Sequence, residues 1–240
     1  MRNIVDLALL ATRSDELSRW TVRDEDGERV HEAVRTGRSL VVVFPHVGMG
    51  GLAPVAAHLG ATRGVVALWS LPRTRVHGWA VEERLIQGLM VRGLARARTG
   101  VVMAGTSSAR PLRTVLEEPG GVVAVAVDVF WGPGATHRRS FMGLPAWAFH
   151  PGPARLARLA RCPVVLCVPI RTGERELTVH WGPFIEPADP HCRQSDARVT
   201  DELISRLEQV LSEHGSDQYT YPMTCEHGRR WYPQTRTWKL

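Results

Sequence analysis

The stretch Ser39-Leu-Val-Val-Val-Phe-Pro-His-Val-Gly-Met-Gly-Gly51 decides how this chain is expected to fold. It begins with five apolar residues, Leu40 to Phe44, which favour a buried β-strand. A proline and His46 follow directly, and three glycines come next, Gly48, Gly50 and Gly51. Open α/β sheets bind ligands beyond the carboxyl ends of their strands. The stretch therefore predicts a strand that delivers an imidazole to the functional edge of such a sheet.

Strand-like and helix-like segments alternate along the rest of the chain. Apolar runs predict further strands at 64–69, 100–104, 122–128, 162–170 and 177–181, and helical periodicity predicts helices at 108–117, 153–160 and 196–214. Alternation of this kind is typical of an α/β fold with a mostly parallel central sheet flanked by helices. We expect a single domain, composed of a helical lead-in at 1–37, an α/β core at 38–187, and a C-terminal helix and tail at 188–240.

The composition narrows the class of protein. The chain has 240 residues, of which 44% are hydrophobic and 22% charged, a balance typical of globular proteins. Its net charge of +6 comes almost wholly from scattered arginines, and this scatter argues against a nucleic-acid partner. The four cysteines form no CxxC pair, so no metal site is expected. No apolar run is long enough to span a membrane and no signal peptide is recognisable, so we expect a cytoplasmic protein.

Two features around the histidine suggest chemistry. The glycines at 48, 50 and 51 permit close backbone approach, so their amides could bind a thioester oxyanion or a phosphate, although such segments are also ordinary turns. Asp128 ends the apolar run 122–128 and, in a parallel sheet, should lie at the same edge as His46. It could equally cap the turn that follows. An isolated histidine is often only a turn residue, but this setting favours a functional one.

Several motifs in a fixed order carry a resemblance to a known family. They are Gly120-Gly-Val-Val-Ala-Val-Ala-Val-Asp128, Phe141-Met-Gly-Leu-Pro-Ala146, Gly152-Pro-Ala-Arg-Leu-Ala157, and Pro163-Val-Val followed by Arg171. Together with the segment around His46 they resemble the lipid A biosynthesis (lauroyl/myristoyl) acyltransferases, within the glycerolipid acyltransferase superfamily. The resemblance covers residues 38–187 and implies a glycerolipid-acyltransferase-like α/β fold.

The family signature is His-x4-Asp/Glu, and the chain departs from it. By resemblance, His46 is the general base that takes a proton from an acceptor hydroxyl or amine. The acceptor then attacks a thioester of acyl carrier protein or coenzyme A, and no other cofactor is implied. The acid that would orient the imidazole is replaced by Gly51. Asp128 is the best substitute for it.

Further side chains are assigned to substrate binding. Arg98 lies near an arginine position of the family, and Arg171 follows the strand at 162–170. Arg139 and Trp131 are expected in the loop after Asp128, and Phe141 begins one of the shared motifs. The arginines suit phosphate or carboxylate, although exposed arginines are commonly only solvated.

The expected activity is acyl transfer from a carrier-protein or CoA thioester to an amine or hydroxyl of a small soluble acceptor, in a specialised biosynthetic pathway. Family members that act on lipid A generally carry a membrane helix, which is not recognisable here, so at most peripheral membrane contact is expected. Three alternatives stay open. They are a peripheral lipid or glycolipid acyltransferase, a non-catalytic binding subunit that has lost the acid, and a cyclase or hydrolase that acts on a carrier-bound intermediate.

Overall fold

A computed structural model describes residues 17–45, 55, 58–59, 65–69, 88, 91–92, 95, 99–103, 109–127, 136–187, 192 and 194–215. The strands are β1 (Thr21–Glu25), β2 (Leu40–Phe44), β3 (Val65–Trp69), β4 (Thr99–Met103), β5 (Val122–Ala126), β6 (His137–Phe141), β7 (Leu144–Phe149), β8 (Val164–Gly173) and β9 (Glu176–Trp181). The helices that can be delimited are α1 (Glu28–Arg35), α2 (Ala109–Glu117), α3 (Gly152–Ala160) and α4 (Gln194–Val210). A 3-10 turn precedes β1 at Leu17–Arg19, and a π-helical turn extends α4 over Leu211–Gly215.

Seven strands form one sheet in the order β1-β9-β8-β2-β5-β3-β4. Every neighbouring pair is parallel except β8 and β9, which form an antiparallel hairpin. The predicted α/β class with a mostly parallel sheet is therefore confirmed. Strands β6 and β7 form a separate antiparallel hairpin.

The central strand β2 is buried on both faces. Leu40, Val42 and Phe44 belong to one apolar core, and Val41 and Val43 belong to the other. The first core lies under α1 and the helical positions near residue 55, whereas the second lies under α2, α3 and α4. A strand covered by helices on both faces needs apolar residues at every position. Burial on both faces therefore explains the uninterrupted apolar run at 40–44.

The helical lead-in expected at 1–37 is wrong for residues 21–25. These residues form β1, which pairs in parallel with β9 from Thr21↔Glu176 to Glu25↔His180. Strand β1 lies at one end of the sheet order, where only alternate side chains face a core and the others can be charged. Its sequence, Thr-Val-Arg-Asp-Glu, therefore lacks the apolar run of a central strand and resembles a turn. Helix α1 fits the expectation, with Val30, Ala33 and Val34 buried along one side.

The β6–β7 hairpin is held against α4. Its tight turn consists of Met142 and Gly143, both with positive φ, at 48° and 78°. Glu208 of α4 reaches both parts of the hairpin, since Oε1 accepts a hydrogen bond from Met142 N–H at 2.7 Å and Oε2 accepts one from Arg139 at 3.0 Å. Among the residues described, no helix combines the length and apolar character needed to cross a bilayer. The expected division into one domain stays a prediction.

Candidate functional site

The candidate site lies where β2 and β5 end side by side. The two strands pair in parallel and in register, from Leu40↔Val122 to Phe44↔Ala126. The pairing continues one residue further, because Val127 N–H donates to the Phe44 carbonyl at 2.9 Å. Both strands are valine-rich and both lie at the centre of the sheet order, so packing fixes this edge from both faces.

The residues that flank this edge are fully packed. Pro45 is buried, and Val127 is 1% exposed. His46 is the next residue in sequence after Pro45, and Asp128 is the next after Val127. Both lie outside the described residues, so their predicted pairing stays a prediction. The substrate-binding roles expected of five further residues also stay predictions, because these residues too lie outside the described part of the chain: Gly48, Gly50, Gly51, Arg98 and Trp131.

Arg139 is held by helix α4. Its guanidinium donates to the Asp201 carbonyl and to Ser205 Oγ, each at 3.0 Å, and to the Glu208 carboxylate. Three acceptors on one helix fasten the β6–β7 hairpin to it. An anionic substrate at Arg139 would have to share the guanidinium with this network.

Phe141 lies in the core. Its side chain is 0% exposed, and its ring meets the Phe149 ring edge-on, with centroids 5.3 Å apart. Burial of a phenylalanine contributes about 1.5–3 kcal/mol to stability, and an edge-to-face pair adds to this. These packing contacts are enough to explain a large apolar residue at position 141.

Arg171 lies in β8, in its carboxyl-terminal half. It donates from Nε to the Gly173 carbonyl at 2.9 Å, and its guanidinium carbon lies 5.2 Å from the centre of the Trp20 ring. This half-buried arginine therefore lies over an aromatic face, where its positive charge interacts favourably with the ring. Arg139 and Phe141 thus share β6, whereas Arg171 belongs to β8 in the seven-stranded sheet.

The sequence reasoning overlooked a cluster of metal-ligating side chains. Among the described residues, Asp24, His31 and His58 place their ligand atoms within 4.8 Å of one another. Their sequence spacing matches no metal motif, so no signal along the chain could have indicated them. The absence of a CxxC pair says nothing about a site of this composition.

Comparison with known proteins adds little beyond the fold. No protein-family model and no curated protein matches the chain. Among solved structures, it is similar to the crystal structure of the 1-acyl-sn-glycerophosphate (LPA) acyltransferase PlsC from Thermotoga maritima. The two share 14% sequence identity with a TM-score of 0.46, over 87% of this chain and 79% of that one. A likeness at this level assigns no chemistry, and the narrower resemblance to the lipid A acyltransferases stays a prediction.

Proposed function

We propose that this protein transfers an acyl group from a carrier-protein or CoA thioester to an amine or hydroxyl of a small soluble molecule in the cytoplasm, with His46 as general base. The observation that carries the proposal is the in-register pairing of β2 with β5 up to the Val127–Phe44 hydrogen bond. His46 and Asp128 each follow directly on a residue of this buried edge. Such an edge is where α/β sheets present catalytic groups.

Asp128 is proposed as the replacement for the acid that Gly51 cannot supply. In the register of β2 and β5, Phe44 is paired with Ala126, and His46 and Asp128 each lie two residues further on. Neighbouring parallel strands are about 4.8 Å apart, a spacing that an imidazole and a carboxylate can bridge. A carboxylate on one ring nitrogen fixes the tautomer and stabilises the imidazolium that forms during reaction.

The proposed reaction proceeds by nucleophilic acyl transfer. One nitrogen of His46 accepts the proton of the acceptor hydroxyl or amine as the acceptor atom attacks the thioester carbonyl carbon. Backbone amides in the segment 48–51 hydrogen-bond to the resulting oxyanion. When the intermediate collapses, the carbon–sulfur bond breaks and the thiolate takes the proton from the imidazolium. The products are an ester or amide and a free thiol.

A transfer assay tests the proposal. The protein would be incubated with octanoyl-CoA or octanoyl-loaded acyl carrier protein and with ethanolamine, which offers both an amine and a hydroxyl. Mass spectrometry of the intact carrier and of the small molecules would follow the octanoyl group. We expect transfer to ethanolamine and a loss of at least 10²-fold in rate on His46→Ala, since general-base catalysis typically contributes that much. His137→Ala, at a histidine paired with Asp201, is the matched control and should keep full activity.

Other outcomes would favour the alternatives. Transfer to 1-acyl-glycerol-3-phosphate but not to ethanolamine, together with sedimentation on anionic liposomes, would replace the proposal with a peripheral lipid acyltransferase. Release of free octanoate alone would indicate a hydrolase. An unchanged thioester with both donors and both acceptors would indicate a non-catalytic subunit. Transfer that is undiminished in His46→Ala would overturn the role of His46.

A further inference from the structure

Three side chains from separate segments converge on one face of the sheet. Asp24 belongs to β1, His31 to α1, and His58 to a helical turn in which Leu59 N–H donates to the Val55 carbonyl at 2.9 Å. His31 Nε2 contacts Asp24 Oδ2 directly, and His58 Nε2 lies 3.6 Å from the same oxygen. The two imidazole rings meet nearly at right angles, with centroids 5.1 Å apart. Both Nε2 atoms thus approach one carboxylate.

The Asp24 carboxylate points toward the protein interior because of the local fold. Strand alternation directs Val22 and Asp24 to the face of the first core, whereas Arg23 between them is exposed and pairs with Glu176. Gly27 lies so close that a Cβ there would overlap the carboxylate. The glycine therefore leaves room for the carboxylate, and the Asp24 side chain is only 11% exposed.

The buried carboxylate is incompletely compensated. Asp24 Oδ1 is buried and accepts no hydrogen bond from any residue that the structure describes. Buried polar atoms in proteins nearly always have a partner, and buried charges are generally paired or coordinate metals. The two imidazoles place ligand atoms for a metal ion beside this carboxylate. A metal ion coordinated by Asp24 would provide the partner that this carboxylate lacks.

We propose that Asp24, His31 and His58 bind a divalent transition-metal ion of the zinc class. Two ligands at 2.0–2.1 Å from a tetrahedral ion lie about 3.4 Å apart, close to the 3.6 Å between His58 Nε2 and Asp24 Oδ2. Each imidazole coordinates through Nε2 and keeps its remaining proton on Nδ1. Metal binding therefore releases any proton that His31 shares with Asp24 and moves their contacting atoms apart to the spacing of two ligands. A fourth position stays open to water, on the side where the His58 side chain is 41% exposed.

The ion would join the segment of His58 to β1 and α1, which the Asp24–His31 contact already links. Asp24 pairs with Val179, and Val179 pairs with Pro169 of β8. Pro169 lies further along β8 than Leu166, the partner of Val43 in β2. The ligands thus lie toward the edge at which β2 ends, and His58 belongs to the segment that follows the glycines after β2. The proposed site is independent of the proposed acyl transfer.

Calorimetric titration of the full chain tests the proposal. Metal-free protein, prepared by dialysis against a chelator, would be titrated with ZnCl₂ and separately with MgCl₂. We expect one Zn²⁺ per chain and no Mg²⁺ binding, because a site of two imidazoles and one carboxylate suits a borderline cation rather than a hard one. Co²⁺ in the same site should show the visible absorption of a four-coordinate ion. His58→Ala should weaken Zn²⁺ binding at least tenfold, as should His31→Gln and Asp24→Asn.

His58→Ala is the decisive variant because its side chain is well exposed and its loss leaves the core intact. Unchanged far-ultraviolet circular dichroism would verify that the variant is folded. His137→Ala is the matched control, since His137 Nε2 lies 2.8 Å from a single carboxylate, Asp201 Oδ1, and should bind Zn²⁺ as wild type does. Wild-type protein that titrates with Zn²⁺ no differently from His58→Ala would overturn the site and leave an ordinary Asp24–His31 pair.

Discussion

At the scale of single residues, the main question is whether Asp128 performs the task of the acid missing at Gly51. The buried edge of β2 and β5 ends at Pro45 and Val127, each one residue before the side chain of interest. A carboxylate that arrives from a neighbouring strand can orient an imidazole as well as one from the following turn. Function would then be preserved although the signature His-x4-Asp/Glu is broken.

A rescue experiment tests this exchange. We expect Asp128→Asn to lower the rate of acyl transfer at least 10²-fold, because the imidazole loses the carboxylate that orients it. Adding Gly51→Glu to this variant should raise the rate at least tenfold above that of Asp128→Asn alone. Gly51→Glu alone should change the rate by less than threefold. The measurement is the initial rate of the transfer assay for the four proteins, and a double variant as slow as Asp128→Asn would contradict the exchange.

The residue-level expectations were predictable only where the chain signals them locally. His46 and Asp128 follow apolar runs, and that position can be recognised without a structure. The burial of Phe141 and the hold of α4 on Arg139 depend on a helix more than 60 positions later in the chain. Asp24, His31 and His58 meet only because β1, α1 and a helical turn share a face of the sheet. Long-range packing of this kind leaves no periodic trace.

At the scale of elements, the apolar strands were predictable and the charged ones were not. Strands β2 and β5 were recognised because burial on both faces makes every position apolar. The sequence of strand β6, His-Arg-Arg-Ser-Phe, is polar and typical of a loop. It forms a strand because of the tight turn that follows it and its contacts with α4. Glu208 provides two of those contacts and is therefore the natural place to test how the hairpin is fixed.

We expect Glu208→Ala to lower the free energy of unfolding by about 1.5–3 kcal/mol, the range for hydrogen bonds to a charged group. The variant removes the acceptor of Met142 N–H and one acceptor of Arg139. Urea unfolding would measure the change. Glu213→Ala is the matched control, since its exposed carboxylate contacts only side chains at the surface, Gln209 and His214. This variant should change stability by about 0.5 kcal/mol or less. Equal effects of the two variants would contradict the anchoring role of Glu208.

At the scale of the whole molecule, the buried thiols make stability depend on alkaline pH. Burial in the second core, helped by the Glu186 carboxylate, raises the pKa of Cys162 from 9.0 to about 12. Burial likewise raises the pKa of Cys167. In the unfolded chain each thiol ionises near its ordinary pKa. Above that pH the unfolded state therefore binds fewer protons than the folded state, and stability falls as the pH rises.

The contribution of Cys162 can be isolated with one variant. Its stabilisation is fully present below pH 9 and is lost toward pH 12, at about 1.4 kcal/mol per pH unit. Between pH 8 and pH 10.5 we expect wild type to lose about 2 kcal/mol more unfolding free energy than Cys162→Ala, measured with urea. Cys192→Ala, at a half-buried position, is the control and should follow wild type. Equal losses in wild type and Cys162→Ala would contradict the prediction.

The position of β2 in the sheet has a consequence for synthesis on the ribosome. Strand β2 precedes both of its neighbours, β5 and β8, along the chain, and Val41 is paired with Val164. This entirely apolar strand therefore lacks its β8 partner until residue 164 and those before it have been translated. An apolar segment of this kind is prone to aggregation as long as it is exposed, and long-range parallel pairing forms slowly. Packing of β2 against α1 is a contact that can form before β8 has left the exit tunnel.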